Sequence, residues 1–298
     1  MARVTKWIGI ALAGIAGLIV IAVVIVYAIS SRRMGKVYTF QDEPLAVPID
    51  SASIAKGKHF VQAIAKCASC HGDDLAGKVV VEDPMMGQLY SANLTRGKGG
   101  IGAAYTDADY VRAIRHGVGR NGRPLFTMPT DAFYYINDED LANSIAYLKT
   151  IPAVDADIPP KRIGPLARAL FLMTDFPLVQ AAKVPLSGPR PPKIPAGPTR
   201  EYGDYLAVTG SCKSCHLQDL SGGVPIAKNL LSANLTPKAI GNWTEADFRK
   251  SLREGVRPGG RILSAVMPWP YTRLMTDDEI HALWLYVHSV PPKNARGH

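Results

Sequence analysis

Residues 67–71 read CASCH and residues 212–216 read CKSCH, and between them they hold all four cysteines of a 298-residue chain. Two thiols three positions apart with a histidine next is the pattern of covalent c-type haem attachment. The reason is local. Each thiol adds to one vinyl group, two sulfurs on one tight turn match the separation of the vinyls, and the following imidazole is held beneath the iron. Cys67, Cys70 and His71 form one such unit, and Cys212, Cys215 and His216 form a second. Other uses of these cysteines fit less well. A thioredoxin-like redox pair belongs in a βαβ setting, and no strand-rich pattern surrounds either site. A four-thiolate zinc site would have to span the 141 residues between the pairs and would leave both histidines as coincidence.

The surroundings of the two signatures repeat as well. SANLT at 91–95 recurs at 232–236, TDADYVRAIRHGV (106–118) as TEADFRKSLREGV (244–256), Met128-Pro129 as Met267-Pro268, and NDEDLANSIAYLKTIP (137–152) as TDDEIHALWLYVHSVP (276–291). Two copies of one domain explain this with small loop deletions, and each copy is long enough to own a core. Each is predicted to be helices joined by long loops. SIAKGKHFVQAIAKCASC (53–70) and REYGDYLAVTGSCKSC (200–215) lead by helix into the haem turns. Gly57 and Gly203 occupy these helices at matched places, which points to close helix–helix contact. Thr106 and Thr244 read as N-caps with Asp109 and Asp247 three residues on, Gly117 and Gly255 as C-terminal stops, and Asn137 and Thr276 as caps of the last helix. That helix carries its core stripe as Leu141, Ile145 and Leu148 in one copy and Ile280, Trp284 and Val287 in the other.

Residues 7–29 run 23 positions without a charge. A bilayer core needs about 20 apolar residues as helix, and Trp7 and Tyr27 suit the two interfaces. A secretory signal has a shorter apolar core, so a retained anchor is expected, although Ala28-Ile29-Ser30 would serve as a cleavage site. Arg3 and Lys6 before the run and Arg32, Arg33 and Lys36 after it leave the positive-inside rule close to a tie. These five take the net charge of +9 down to +4 for the remainder, 29 basic against 25 acidic residues. No dense Lys/Arg stripe of the kind that binds nucleic acid is present. Residues 152–198 carry eleven prolines. The end of this stretch, 185–198, reads as a semi-rigid extended linker. Its middle, PLARALFLMTDFPLVQAA (165–182), is too apolar for a free tether and is expected to form a short helix packed on one or both domains.

An iron held by one histidine needs a sixth ligand, and an open sixth position would permit peroxide or oxygen chemistry where a thioether would close it. Met128 and Met267 are the candidates, because position, following proline and repeat agree. Met85 and Met86 rival Met128 but have no counterpart in the second copy, and Met173 and Met275 lack the proline. His59, His116, His281, His288 and His298 share no equivalent pair and read as surface or structural, with His116 the alternative ligand to check. Arg123 and Arg261, matched on glycine-bearing loops, could meet haem propionates. Four propionates, about −4 if ionised, would cancel the +4 of the soluble part.

With these residues in place, 52–152 and 199–292 resemble class I cytochrome c in tandem dihaem form, and the whole is similar to the cytochrome subunits that accompany bacterial membrane-bound dehydrogenases. The resemblance implies an all-α fold: an anchor at 1–36, domain 1 at 37–152, a linker with a packed helix at 153–198, and domain 2 at 199–298. It implies two covalent haem c groups, on Cys67 and Cys70 and on Cys212 and Cys215, with His71/Met128 and His216/Met267 as iron ligands. It also implies haem attachment outside the cytoplasmic membrane, so the N-terminus lies inside. The function expected is a single-pass membrane-tethered relay that passes electrons singly from a dehydrogenase or quinol-oxidising complex to a terminal oxidase or similar acceptor. It would have no catalytic residue, no small-molecule substrate and no nucleic-acid partner. A dihaem peroxidase or thiosulfate-oxidising enzyme with one open haem is the alternative, and a fixed subunit of a respiratory complex a third reading.

Overall fold

The computed structural model describes residues 2–39, 43–174, 176–185, 188, 191–227 and 229–296. His298 and part of the extended linker therefore lie outside the described residues. The chain opens with a long helix, α1 (Ala2–Met34), followed by α2 (Ser51–His59), which runs on through a π-helical turn (Phe60–Ile64) into the short α3 (Ala68–His71). A hairpin of β1 (Val79–Asp83) and β2 (Gly87–Tyr90) comes next, then α4 (Asp107–His116), the single turn α5 (Thr130–Phe133) and α6 (Asp138–Leu148). The connecting region supplies β3 (Arg162–Ile163) and α7 (Pro165–Met173). The order then recurs: α8 (Arg200–Thr209), α9 (Cys212–His216), a hairpin of β4 (Pro225–Ala227) and β5 (Leu230–Leu231), α10 (Pro237–Ile240), α11 (Glu245–Glu254), α12 (Trp269–Thr272) and α13 (Asp277–Ser289). Helices predominate, as expected. The small antiparallel sheets β1-β2-β3 and β4-β5 were not expected; each follows a CxxCH turn and is too short to leave a periodic signature.

Local chemistry sets the helix ends. Thr106 and Thr244 each close a capping box with Asp109 and Asp247, and Gly117 and Gly255 end α4 and α11 at φ 62° and 69°. Asn137 and Thr276 accept from the backbone N–H three residues on, at the start of α6 and α13. The first and last helices of each half cross at a glycine. A Cβ on Gly57 would lie 1.9 Å from the Asn143 carbonyl oxygen, and one on Gly203 would lie 2.0 Å from that of Ala282. Only a hydrogen at Cα permits this approach.

The expected stripes of α6 and α13 are buried, with Leu141, Ile145 and Ile280 fully inside, while Trp284 is half-buried against Phe248. One continuous apolar core runs through both halves, from Phe60 to Ile151 and from Tyr205 to Val287. The contacts across the middle are reciprocal. α12 lies on the π-helical turn, and α5 lies on α8 and α9. His59 bonds Glu279 (2.9 Å), and Tyr205 donates to Asp140 (2.5 Å); both carboxylates sit three residues after the cap of a last helix. A second cluster gathers Met34, Tyr38, Leu89, Val118, Leu178, Val179 and Ala181. It shows α7 and the segment after it packed on the end of α1 and on the first half.

Candidate haem-attachment sites

Each CxxCH is set up by a break in the helix before it. Lys66 and Ser211 take left-handed backbone, φ 51° and 58°, and the chain restarts as a helical turn on the cysteine. In that turn the His71 N–H donates to the Cys67 carbonyl (2.8 Å) and the Cys70 N–H to the same oxygen (3.1 Å). Two thiols therefore project from one turn, with the histidine at its end. No disulfide joins any two of the four cysteines. Burial pushes the Cys67 thiol up to about 12 and raises Cys215 as well. The turns close alike, Gly77 N–H to His71 carbonyl (2.7 Å) and Gly222 N–H to His216 carbonyl (2.9 Å).

The imidazoles are oriented the same way. His71 Nδ1 lies 2.8 Å from the Ala92 carbonyl oxygen, and His216 Nδ1 lies 2.7 Å from that of Ala233. A carbonyl only accepts, so the proton is on Nδ1 and the Nε2 lone pair is left for a metal. Burial lowers the pKa of both rings, so both stay neutral. Ala92 and Ala233 belong to the repeated SANLT, and the rest of that motif fixes the carbonyl. Asn93 Nδ2 donates to Val154 O (2.8 Å) while its Oδ1 accepts from Thr95 N (2.8 Å). Asn234 does the same with Lys293 O (2.7 Å) and Thr236 N (2.8 Å). The threonine hydroxyls bond the same two distant residues. Sequence reading used SANLT only as a mark of the repeat; its verbatim recurrence was the available signal that it has a task.

Met128 and Met267 both pack against the common core, each leading through Pro129 or Pro268 into a single-turn helix. Met85 is 53% exposed on the β1–β2 turn and Met86 is on the same turn, while Met173 is exposed and Met275 is buried. His116, the alternative ligand, has both nitrogens engaged, with Pro185 O (3.1 Å) and Glu43 Oε1 (3.0 Å). His59 and His281 pair with Glu279 and Glu245. His288 packs at a tilt of 46° against Trp284, with its Nδ1 on that residue's carbonyl. Arg123 and Arg261 are both exposed, on matched loops closed by bonds to Gly119 N and Arg257 N. Arg123 shares with Arg120, Lys161 and Tyr105 an open cavity of about 290 Å³ whose basic wall suits a carboxylate.

The two CxxCH turns face each other. Lys66, 7% exposed, directs its ammonium to the Ile64 carbonyl (2.7 Å) and across to the Gly210 carbonyl (2.5 Å), two residues before Cys212. Burial lowers its pKa, against the opposing influence of the Cys212, Cys67 and Cys215 thiols. Ser214 reaches Asp131 (3.3 Å) and Tyr271 reaches Asp73 (3.1 Å) beside it. Paired thiols on one turn, followed by a neutral imidazole with its Nε2 free, fit covalent haem c at each site.

Comparison with known proteins agrees. Residues 54–152 match the cytochrome c family. The chain is 30% identical over 277 residues to the cytochrome c subunit of alcohol dehydrogenase (quinone) from Gluconacetobacter polyoxogenes, covering 82% of this chain and 57% of that protein. It is 28% identical to the fructose dehydrogenase cytochrome subunit of Gluconobacter japonicus, covering 86% and 56%. The gluconate 2-dehydrogenase cytochrome c subunit of Pantoea cypripedii is 27% identical, covering 83% and 61%. The chain thus spans little more than half the length of these relatives. Residues 54–152 are a cytochrome c domain, and the chain as a whole resembles the cytochrome c subunits of dehydrogenases.

Proposed function

We propose that the chain is a two-haem electron relay tethered to the cytoplasmic membrane by α1, with its haems on the periplasmic side, and that it serves as the cytochrome subunit of a dehydrogenase. Two tandem cytochrome c domains, about 37–152 and 199–298, joined by the 153–198 segment, would each hold one haem c. The thiols of Cys67 and Cys70, and of Cys212 and Cys215, would carry the thioether bonds. His71 and Met128 would ligate one iron, His216 and Met267 the other. Bound there, haem c supplies one-electron chemistry at iron. The protein's part is to fix the imidazoles through Ala92 and Ala233, to exclude water with the shared core and to hold the two turns face to face. Ligation by Met128 and Met267 would leave the irons no open position for a substrate and would favour the reduced state.

One observation carries this reading. The second CxxCH has the same turn and the same histidine-to-carbonyl bond as the first, in a segment with its own SANLT. The test is haem content and ligation in the purified holoprotein. Two covalent haems per chain are expected, falling to one when Cys212 and Cys215 are both changed to Ala. The reduced protein should not bind carbon monoxide, and both ferric haems should show the methionine-to-iron charge-transfer band. A single haem, or ready carbon monoxide binding by one of two, would sink the relay and favour the enzyme with an open haem. Co-purification of a dehydrogenase in mild detergent identifies the electron donor.

A further inference from the structure

Among the described residues, α1 is the one helix long and apolar enough to cross a membrane. Its last turns are not a free tether. All of residues 3–25 are exposed, but Val26 is partly covered, Ser30 is wholly covered and Met34 is 8% exposed, an i, i+4, i+8 stripe facing the fold. Packed beside these turns is α7, PLARALFLM, nine residues with no acid and a single charge at Arg168. That charge is spent inward. Arg168 Nη1 donates to Ser30 Oγ (2.8 Å) and Ser31 Oγ (2.9 Å), Nε donates to Ile163 O (3.2 Å), and the guanidinium carbon lies 4.4 Å over the Tyr27 ring.

What α7 turns outward is apolar. Met173 is 81% exposed and Leu166 is 41% exposed, and Leu166 donates its N–H to the carbonyl of Met85, itself half in solvent. Arg168 seats α7 beside Tyr27, Ser30 and Ser31, where the uncharged run ends, and exposed Arg32, Arg33, Lys36 and Arg162 lie on the adjoining segments. Apolar side chains with cations at their edge, at the level where a span leaves the hydrocarbon, match the chemistry of the interfacial layer. We propose that α7, with the β1–β2 turn, is a lipid-binding surface. Leu166 and Met173 enter the acyl region, the flanking cations meet headgroup phosphates, and Arg168 pins this surface to the anchor. The first half is then held in one attitude to the membrane instead of swinging on a tether. The inference rests on α1 being a span.

The test reconstitutes the full-length holoprotein in phosphatidylcholine–phosphatidylglycerol vesicles doped with a phospholipid bearing a photoactivatable diazirine on its acyl chain. After irradiation, adducts are mapped by peptide mass spectrometry. Adducts on both α1 and α7 are expected, and those on α7 should be lost in the Leu166→Asp/Met173→Asp variant while those on α1 persist. Both substitutions are at exposed positions, and the haem spectrum checks that the variant is folded. Adducts on α1 alone overturn the proposal and leave the surface to a protein partner. Adducts on neither helix overturn the span reading itself.

Discussion

At the scale of single residues, small differences between side chains decide how closely backbones approach and where protons sit. Gly203 shows this in the second half, as Gly57 does in the first. Its added Cβ would meet the backbone oxygen and carbon of Ala282 at 2.0 and 2.5 Å, and no rotamer change relieves a backbone clash. Gly203→Ala should therefore force α8 and α13 apart and cost about 1–3 kcal/mol, the usual range for overpacking. Thermal unfolding of the holoprotein reads this directly. Gly14→Ala, with nothing within 4 Å of its Cβ, is the control that should leave unfolding unchanged. Lys66 acts in the opposite sense, by attraction. Lys66→Met would leave the Ile64 and Gly210 carbonyls without their donor at the seam between the two halves. A buried polar group left without its bond costs about 1–3 kcal/mol. An unfolding midpoint equal to wild type in either variant would contradict the packing described here.

At the scale of elements, what could be read from the sequence was what each helix decides for itself. Thr106 with Asp109 and Thr244 with Asp247 form the boxes their spacing predicts, and the glycines after them take positive φ. These are contacts within one turn, so a spacing rule suffices. Thr106→Ala should accordingly cost about 1 kcal/mol, read as a lowered unfolding midpoint, and Thr106→Ser should restore it. The thiol–imidazole turns were legible for the same reason, since three residues of spacing fix them. What was not legible depends on partners far away in the chain. The carbonyl that orients His71 comes from 21 residues on, and the bond that holds that carbonyl's loop comes from Val154. Arg115 and Arg253 carry no spacing signal of their own, yet they tie α4 and α11 to the entries of α6 and α13. Arg115 bonds Ile136 O and Asp138; Arg253 bonds Met275 O and Asp277. The short hairpins escaped because two to five residues carry no usable period. The seat of α7 depends on tertiary packing that its composition announced without locating.

At the scale of the whole molecule, the reciprocal seam gives the assembly a dependence on pH whose sign follows from its groups. His59 donates to Glu279, and this hydrogen bond raises the imidazole pKa above its ordinary value of 6.5, outweighing partial burial. A raised pKa means that the folded state holds this proton more tightly than the unfolded chain does. The stabilisation is complete below about 6.5 and fades as pH rises through the folded value. On the other side of the seam, burial raises the carboxyl pKa of Asp140, against the bonds from Tyr205 and Asn137. Its contribution also falls with rising pH, beginning from the ordinary carboxyl value of 3.8. His71 and His216, each at the end of its CxxCH turn, are kept neutral by burial and stand outside this window. The midpoint difference between wild type and His59→Gln should thus be largest near pH 5.5 and shrink steadily towards pH 8. It is measured by thermal unfolding of the haem-loaded protein in matched buffers at fixed ionic strength. Glu279 also caps α13 through Thr276, so Glu279→Gln removes a cap as well as a partner and should lower the midpoint at every pH. A difference for His59→Gln that stays flat across this range would mean that the imidazole carries no proton at the seam, and the pairing would then be only a neutral hydrogen bond.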